Sequence, residues 1–331
     1  MVDRTKESGV FIPAEWSSHR AVWTAWPSHP ELWLDNLLPA RTEVAAMIRA
    51  LAPGDRIKLI ACGDEAVESA RAATGDVAEI VPALFGDIWL RDTGPVFARA
   101  GGEVIALRFD NNGWGGKYPL KHDDRIGDDV ATAAGRRIQR HPFVLEGGAI
   151  EHNGAGWVLT TRQCLLNPNR NSGWNEAVAE AKLKASLGCE RVLWLDKGLC
   201  NDHTDGHIDN LARFISPDTV VCQHASGDDD PNRKLYAETR EALAAMGLTV
   251  HEIPSPGKVL DADGNVVPAS HMNFIIGNDK VVVPVYGTAT ADAAVTKLSS
   301  LFPDRAVTGV TSNALLSGGG SFHCITQQEP V

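Results

Sequence analysis

Apolar runs and turn-forming clusters alternate along the chain in a pattern that repeats. Val96 to Phe109 reads VFARAGGEVIALRF, two strand-like runs around Gly101-Gly102. Ala149 to Thr161 turns at Asn153-Gly154, Asn210 to Gln223 at Ser216-Pro217-Asp218, and Asn273 to Val285 at Gly277-Asn278-Asp279. Each reads as a β-hairpin. Helical spacing of Ala, Val and Leu follows the later three, over Asn175–Ser186, Lys234–Met246 and Ala289–Leu301. The units recur roughly every 55 to 65 residues, the spacing of a modular array. A fifth unit is expected at the front: a strand over Ala21–Trp26, a helix over Arg41–Leu51 and a strand over Arg56–Cys62.

Such units build either two separate α/β domains or a closed ring. Closure buries strand edges and gives every unit a share in one central site. The chain lacks a Pro/Gly/Ser-rich linker, which favours one closed domain over residues 1–331.

Composition narrows the function classes. Apolar residues make up 44% and charged residues 22%, so the chain can bury a substantial core. The formal net charge of −11 disfavours a nucleic-acid partner, which requires Lys and Arg against phosphate. No apolar run approaches the length of a membrane helix, about 20 residues, and the N-terminal segment lacks a signal-peptide pattern. The six cysteines are widely and irregularly spaced, without a CxxC pair. Reduced thiols in a cytoplasmic protein, without structural zinc, are expected.

Four segments carry candidate chemistry. Cys324 follows Gly318-Gly319-Gly320, where glycines let the backbone approach a ligand closely. Taken alone, such a cysteine is a core residue. If it lies on a strand, adjacent His323 points to the opposite face, and a base must come from elsewhere. The segment 202–210 (DHTDGHIDN) offers His207 and Asp209, which share a face of an extended backbone. Trp89 and Asp92 offer an aromatic face and a carboxylate to a cation. Glu146 precedes a glycine pair at the start of a hairpin.

Together these segments resemble the agmatine deiminases and the related bacterial-type peptidylarginine deiminases. The matching stretches are WLRDTGP (89–95), NGWGG (112–116), LEGGAIEHNG (145–154), TTRQCLLNPNRN (160–171), TDGHIDN (204–210), PASHMNF (268–274) and GGGSFHCITQQEP (318–330). The resemblance spans nearly the whole chain. It implies a five-bladed pseudo-symmetric α/β propeller, the pentein fold, consistent with the repeat. It further implies a deiminase that hydrolyses a guanidinium through a covalent Cys324 thiouronium, with agmatine giving N-carbamoylputrescine and ammonia.

In that scheme His207 is the acid and base, Asp92 and Asp209 hold the guanidinium nitrogens, and Glu146 orients His207. Trp89 lines the substrate channel and Asn273 lies near the nucleophile. No metal or organic cofactor is implied, and a homodimer is the family-level expectation. Two positions depart from the family pattern. His203 stands where a Glu commonly reads the far amine of agmatine, and Ser321 replaces an Asn. Asp205 is a candidate to supply the missing carboxylate. Other readings are a different alkylguanidine or peptidyl-arginine as substrate, an amidinotransferase, a zinc hydrolase using Cys200, His203, His207 and Asp209, and a non-catalytic propeller.

Overall fold

The computed structural model describes residues 9–331. Among the described residues, sixteen strands form five small sheets, one of four strands and four of three. The front sheet contains β1 (His19–Ala25), β2 (Ile57–Ala61) and β3 (Ala78–Pro82). Next come β4 (Val96–Ala100), β5 (Glu103–Asp110) and β6 (Arg137–Val144), then β7 (Ile150–His152), β8 (Trp157–Thr161) and β9 (Arg191–Leu195). The last two triplets are β10 (Ala212–Ser216), β11 (Thr219–His224) and β12 (Thr249–Pro254), and β13 (Ile275–Ile276), β14 (Lys280–Val285) and β15 (Ala306–Thr311). The C-terminal β16 (Thr326–Pro330) joins the front sheet, pairing antiparallel with β1. Chain end and chain start thus share one sheet and close the propeller.

Each triplet has the same wiring. Its first two strands form an antiparallel hairpin, and the second pairs in parallel with the third. A parallel neighbour requires a crossover, and helices supply it. The helices Glu176–Leu187, Arg233–Ala245 and Ala291–Leu301 lie within a residue or two of the expected stretches. Asn175 caps the first by accepting from the Val178 N–H. The middle strands are buried on both faces, which explains their near-continuous apolar runs; VVV at 281–283 of β14 is fully buried. The outer strand β15 is largely exposed and carries Thr and Gly.

Two expectations shift. β13 has only two residues: the next ladder-facing residue, Asn273, falls opposite Pro284, which has no N–H to donate, while the Phe274 carbonyl faces away from β14 and accepts from Arg213 (2.7 Å). Cys324 lies in a turn just before β16 rather than on a strand.

Candidate active site

The five inner strands β4, β7, β10, β13 and β16 are each entered through a short segment, and from these segments come Asp92, Glu146, Asp209, Asn273 and Cys324. Each lies two to four residues before its strand. The site therefore repeats the symmetry of the fold, one side chain per blade. His207 is added from the segment that carries Asp209. All six are buried, and His207, Asp209 and Asn273 are fully so.

Local structure fixes these side chains. Asp92 lies in the helical turn Leu90–Thr93. The Arg91 N–H donates to the Cys324 carbonyl (3.0 Å), tying that turn to the turn that carries Cys324. Asp92 Oδ1 accepts from the Gly148 N–H (2.8 Å) and Oδ2 from the Trp114 indole (2.7 Å). Trp114 occupies the left-handed region at φ 53, flanked by glycines of the NGWGG stretch. Asn273 grips Cys324 twice: its Nδ2 donates to Sγ (3.1 Å) and its Oδ1 accepts from the Cys324 N–H (3.1 Å).

His207 and Asp209 converge, though not on one extended strand. His207 is extended and Asp209 lies in the 3-10 turn Ile208–Asn210. A Cβ added at Gly148 would stand 2.6 Å from His207 Nδ1, 3.0 Å from Asp92 Oδ1 and 3.1 Å from Asp209 Oδ2. One point thus faces the imidazole and both carboxylates, and only a glycine leaves it open. Asp209 Oδ1 is buried without a hydrogen-bond partner. The Cys324 thiol lies 3.7 Å from Asp209 Oδ2.

His323 and Cys324 share one turn, so strand alternation does not set their directions, and both reach Asp209 Oδ2. The His323 ring bridges Asp209 Oδ2 (2.8 Å) and Glu15 Oε2 (3.0 Å). Glu15 in turn meets Arg213, which also binds Glu151 (2.8 Å). This buried network beneath the site has no sequence signature, because Glu15 and His323 are 308 residues apart. It holds Asp209 in place and keeps it charged.

Glu146 neighbours His207 without a hydrogen bond to it. Its Oε1 accepts from Arg170 Nε (2.6 Å), while Oε2 is buried and unpartnered. Asp92 is the carboxylate nearest the imidazole by ion-pair geometry, 3.7 Å from Nδ1. Asp205, the candidate for the missing family carboxylate, is held by Lys117, Asn169 and Arg170. Arg170, within the NPNRN stretch, and Trp114 were not singled out individually from the sequence.

Trp89 packs against the turn that carries Cys324. A Cβ at Gly320 would lie 2.7 Å from the Trp89 ring and 3.2 Å from Cys324 Sγ. One Asp87 carboxylate holds the Trp89 and Trp33 indoles (2.8 and 3.0 Å). His203 is exposed beside the same turn, stacked on Tyr118 at 6.1 Å between ring centroids. Cys200 and His203 do not join a metal cluster. Among the described residues, the group whose ligand atoms converge is Glu146, Cys164 and His207.

The charges follow from burial and pairing. Burial pushes the Cys324 thiol well above its usual pKa, and the Asp209 and Asp92 charges push it further. Burial works against a charged His207, but Asp92, Cys164 and Glu146 outweigh it and hold the imidazole well above its usual value. Asp92 is raised by burial and by its neighbours Glu146 and Asp209. Asp209 is lowered despite burial, because His323 hydrogen-bonds it. The site thus combines a proton donor, a protonated thiol and acceptor groups for a planar cation.

Five sheets in a ring, with one chemical side chain from each entering a common buried cluster around a thiol, define a five-bladed α/β propeller of the pentein class. The chain belongs to the Porphyromonas-type peptidyl-arginine deiminase family, whose sequence model matches residues 11–330. The agmatine deiminase of Stutzerimonas stutzeri is 34% identical over 98% of this chain and 97% of its own. A solved agmatine deiminase of Enterococcus faecalis superposes with a TM-score of 0.92 at 30% identity, covering 97% of this chain and 96% of that one. A C. jejuni agmatine deiminase with a Cys→Ser substitution and bound substrate superposes at 0.90 with 27% identity, over 97% and 96% of the two chains.

Proposed function

We propose that the protein is a hydrolase of C–N bonds in linear amidines that converts agmatine to N-carbamoylputrescine and ammonia, a step toward putrescine. The observation that carries this reading is the convergence of His207, Asp92 and Asp209 on one point beside Cys324 Sγ, in a chain whose relatives are agmatine deiminases.

The mechanism follows from the charges. Asp92 and Asp209 bind the guanidinium through charge-assisted hydrogen bonds. The cation's arrival lowers the pKa of the thiol that these carboxylates otherwise raise, and the thiol proton passes to solvent. The thiolate attacks the guanidinium carbon and forms a C–S bond. Protonated His207 gives its proton to the departing nitrogen, and ammonia leaves as the C–N bond breaks. His207, now neutral, takes a proton from water. The hydroxide attacks the thiouronium carbon, the C–S bond breaks, the hydroxyl proton passes to the departing sulfur, and the ureido product leaves with the Cys324 thiol restored. Asn273 Nδ2 stabilises the sulfur anion at both stages. Trp89 lines the channel, with His203 at its rim. The substrate's cationic guanidinium fits the acidic pocket, and water completes the reaction without an acceptor amine.

One chain supplies the whole site, so residues 1–331 act as one catalytic unit. No helix among the described residues is long and apolar enough to cross a membrane. The free cysteines fit a cytoplasmic enzyme. Ammonia release from a panel of agmatine, arginine, arginine peptides and short guanidino acids tests the reading. Agmatine in water alone is expected to turn over fastest, and Cys324→Ser and His207→Ala to abolish turnover while retaining the fold. No ammonia from agmatine, or turnover by either variant, would overturn it.

A further inference from the structure

We propose that Glu146, Cys164 and His207 form a binding site for a thiophilic divalent cation, zinc foremost, whose occupancy switches the catalytic cluster off. One ligand atom from each of the three side chains lies within 4.8 Å of the other two. All three residues are essentially inaccessible, at 1%, 0% and 0% exposure. Glu146 Oε2 and both ring nitrogens of His207 are buried with no hydrogen-bond partner. Unpaired buried polar atoms are costly, and a cation would satisfy several at once.

The donor set selects the ion. Sulfur, imidazole nitrogen and a single carboxylate oxygen suit zinc and its soft neighbours; magnesium and calcium require oxygen shells. Three protein ligands leave a fourth position for water. A thiolate and a carboxylate balance two positive charges. Binding would displace the proton of the Cys164 thiol and that of His207, both released to solvent.

The supports are rigid. Arg170 Nε engages Glu146 Oε1, leaving Oε2 to the ion. Cys164 lies in the helical turn Arg162–Leu165, whose N-cap Thr161 hydroxyl accepts from the Cys164 N–H. The thiouronium chemistry has no use for this second thiol. His207, however, belongs to both sites. An ion on it removes the general acid, because the imidazole nitrogen that would carry the proton is bound to metal. Metal and turnover therefore exclude each other. This consequence rests on the deiminase reading; the binding itself does not.

The test uses the full chain carrying Cys324→Ser, which removes the other thiol of the cluster. Cobalt(II) added alone should saturate at one equivalent with a near-ultraviolet thiolate-to-cobalt charge-transfer band. The band should be lost in Cys324→Ser/Cys164→Ser. Absence of the band, or its survival in the double variant, would overturn the site. Zinc-edge X-ray absorption of zinc-loaded Cys324→Ser gives an answer even if the double variant misfolds. One sulfur at about 2.3 Å with nitrogen and oxygen at about 2.0–2.2 Å is expected, and a shell without sulfur would refute the proposal. Ammonia release by the wild type should fall to background with one equivalent of zinc and return with a chelator. Undiminished turnover by the zinc-loaded enzyme would refute the switch. If no guanidine yields ammonia, the spectroscopic result still decides the binding site.

Discussion

Gly148→Ala isolates the geometry of the site from its chemistry. Gly148 lies in the 3-10 turn Gly147–Ala149, and its φ is not in the left-handed region, so an alanine is acceptable to the backbone. Only space opposes it. The added Cβ would stand 2.6 Å from His207 Nδ1, where ordinary contact begins at 3.4 Å. The imidazole must therefore retreat by about 0.8 Å, with smaller shifts of Asp92 and Asp209. Misplacing a reacting group by about 1 Å costs on the order of 100-fold in rate, or about 2.7 kcal/mol. Overpacking a buried site costs about 1–3 kcal/mol of stability. We expect kcat for ammonia release to fall about 100-fold, with the protein still folded by thermal melting. Gly147→Ala is the contrast: its Cβ would lie 2.2 Å from the Arg91 carbonyl, a backbone atom, so it should damage the fold first. A Gly148→Ala enzyme with kcat within about threefold of wild type would refute the placement of His207, since the retreat predicts a far larger loss.

Asn273→Ala removes both contacts to Cys324 and should lower kcat about 10- to 100-fold, the range for a hydrogen bond to a charged atom. It should also move alkylation of Cys324 by iodoacetamide to higher pH; an unchanged pH profile would remove Asn273 from the thiolate's environment. Arg170→Met leaves Glu146 and Asp205 without their guanidinium and should cost about 3–5 kcal/mol by urea denaturation; a loss below about 1 kcal/mol would contradict the buried pairing. Burial raises the Asp123 pKa to about 7, while Oδ1 accepts from the Gly86 N–H at 2.7 Å. With a folded pKa above the unfolded value of 3.8, its stabilising contribution is full below that value and lost as pH rises through about 7. Asp123→Asn cannot ionise, so its stability relative to wild type should rise between pH 5 and 8, by about 3 kcal/mol. A difference that does not change with pH would refute the burial argument.

The sequence by itself carried the repeat and the chemistry. Hairpins are local objects: turn clusters and alternating runs lie within a dozen residues, so four of them and three helices were legible. Asp92, Glu146, His207, Asp209 and Cys324 were legible because each lies in a short segment with an unusual glycine or polar pattern, whereas Asn273 came only from the family resemblance. What the sequence could not display was anything set by long-range closure. β16 joins β1 across the whole chain, and that pairing makes the ring. Glu15, Glu151 and Arg213 assemble beneath the site from three distant segments to hold His323 and Asp209. Tertiary structure also decided who partners whom. Asp92, rather than Glu146, is the nearer ion-pair partner of His207. Arg170 takes Glu146, Asp205 is already engaged, and Cys164 arrives beside the histidine. Side-chain type is written locally, but partnership depends on which of several nearby acids the folded backbone brings within about 3 Å of a given base, the hydrogen-bond range.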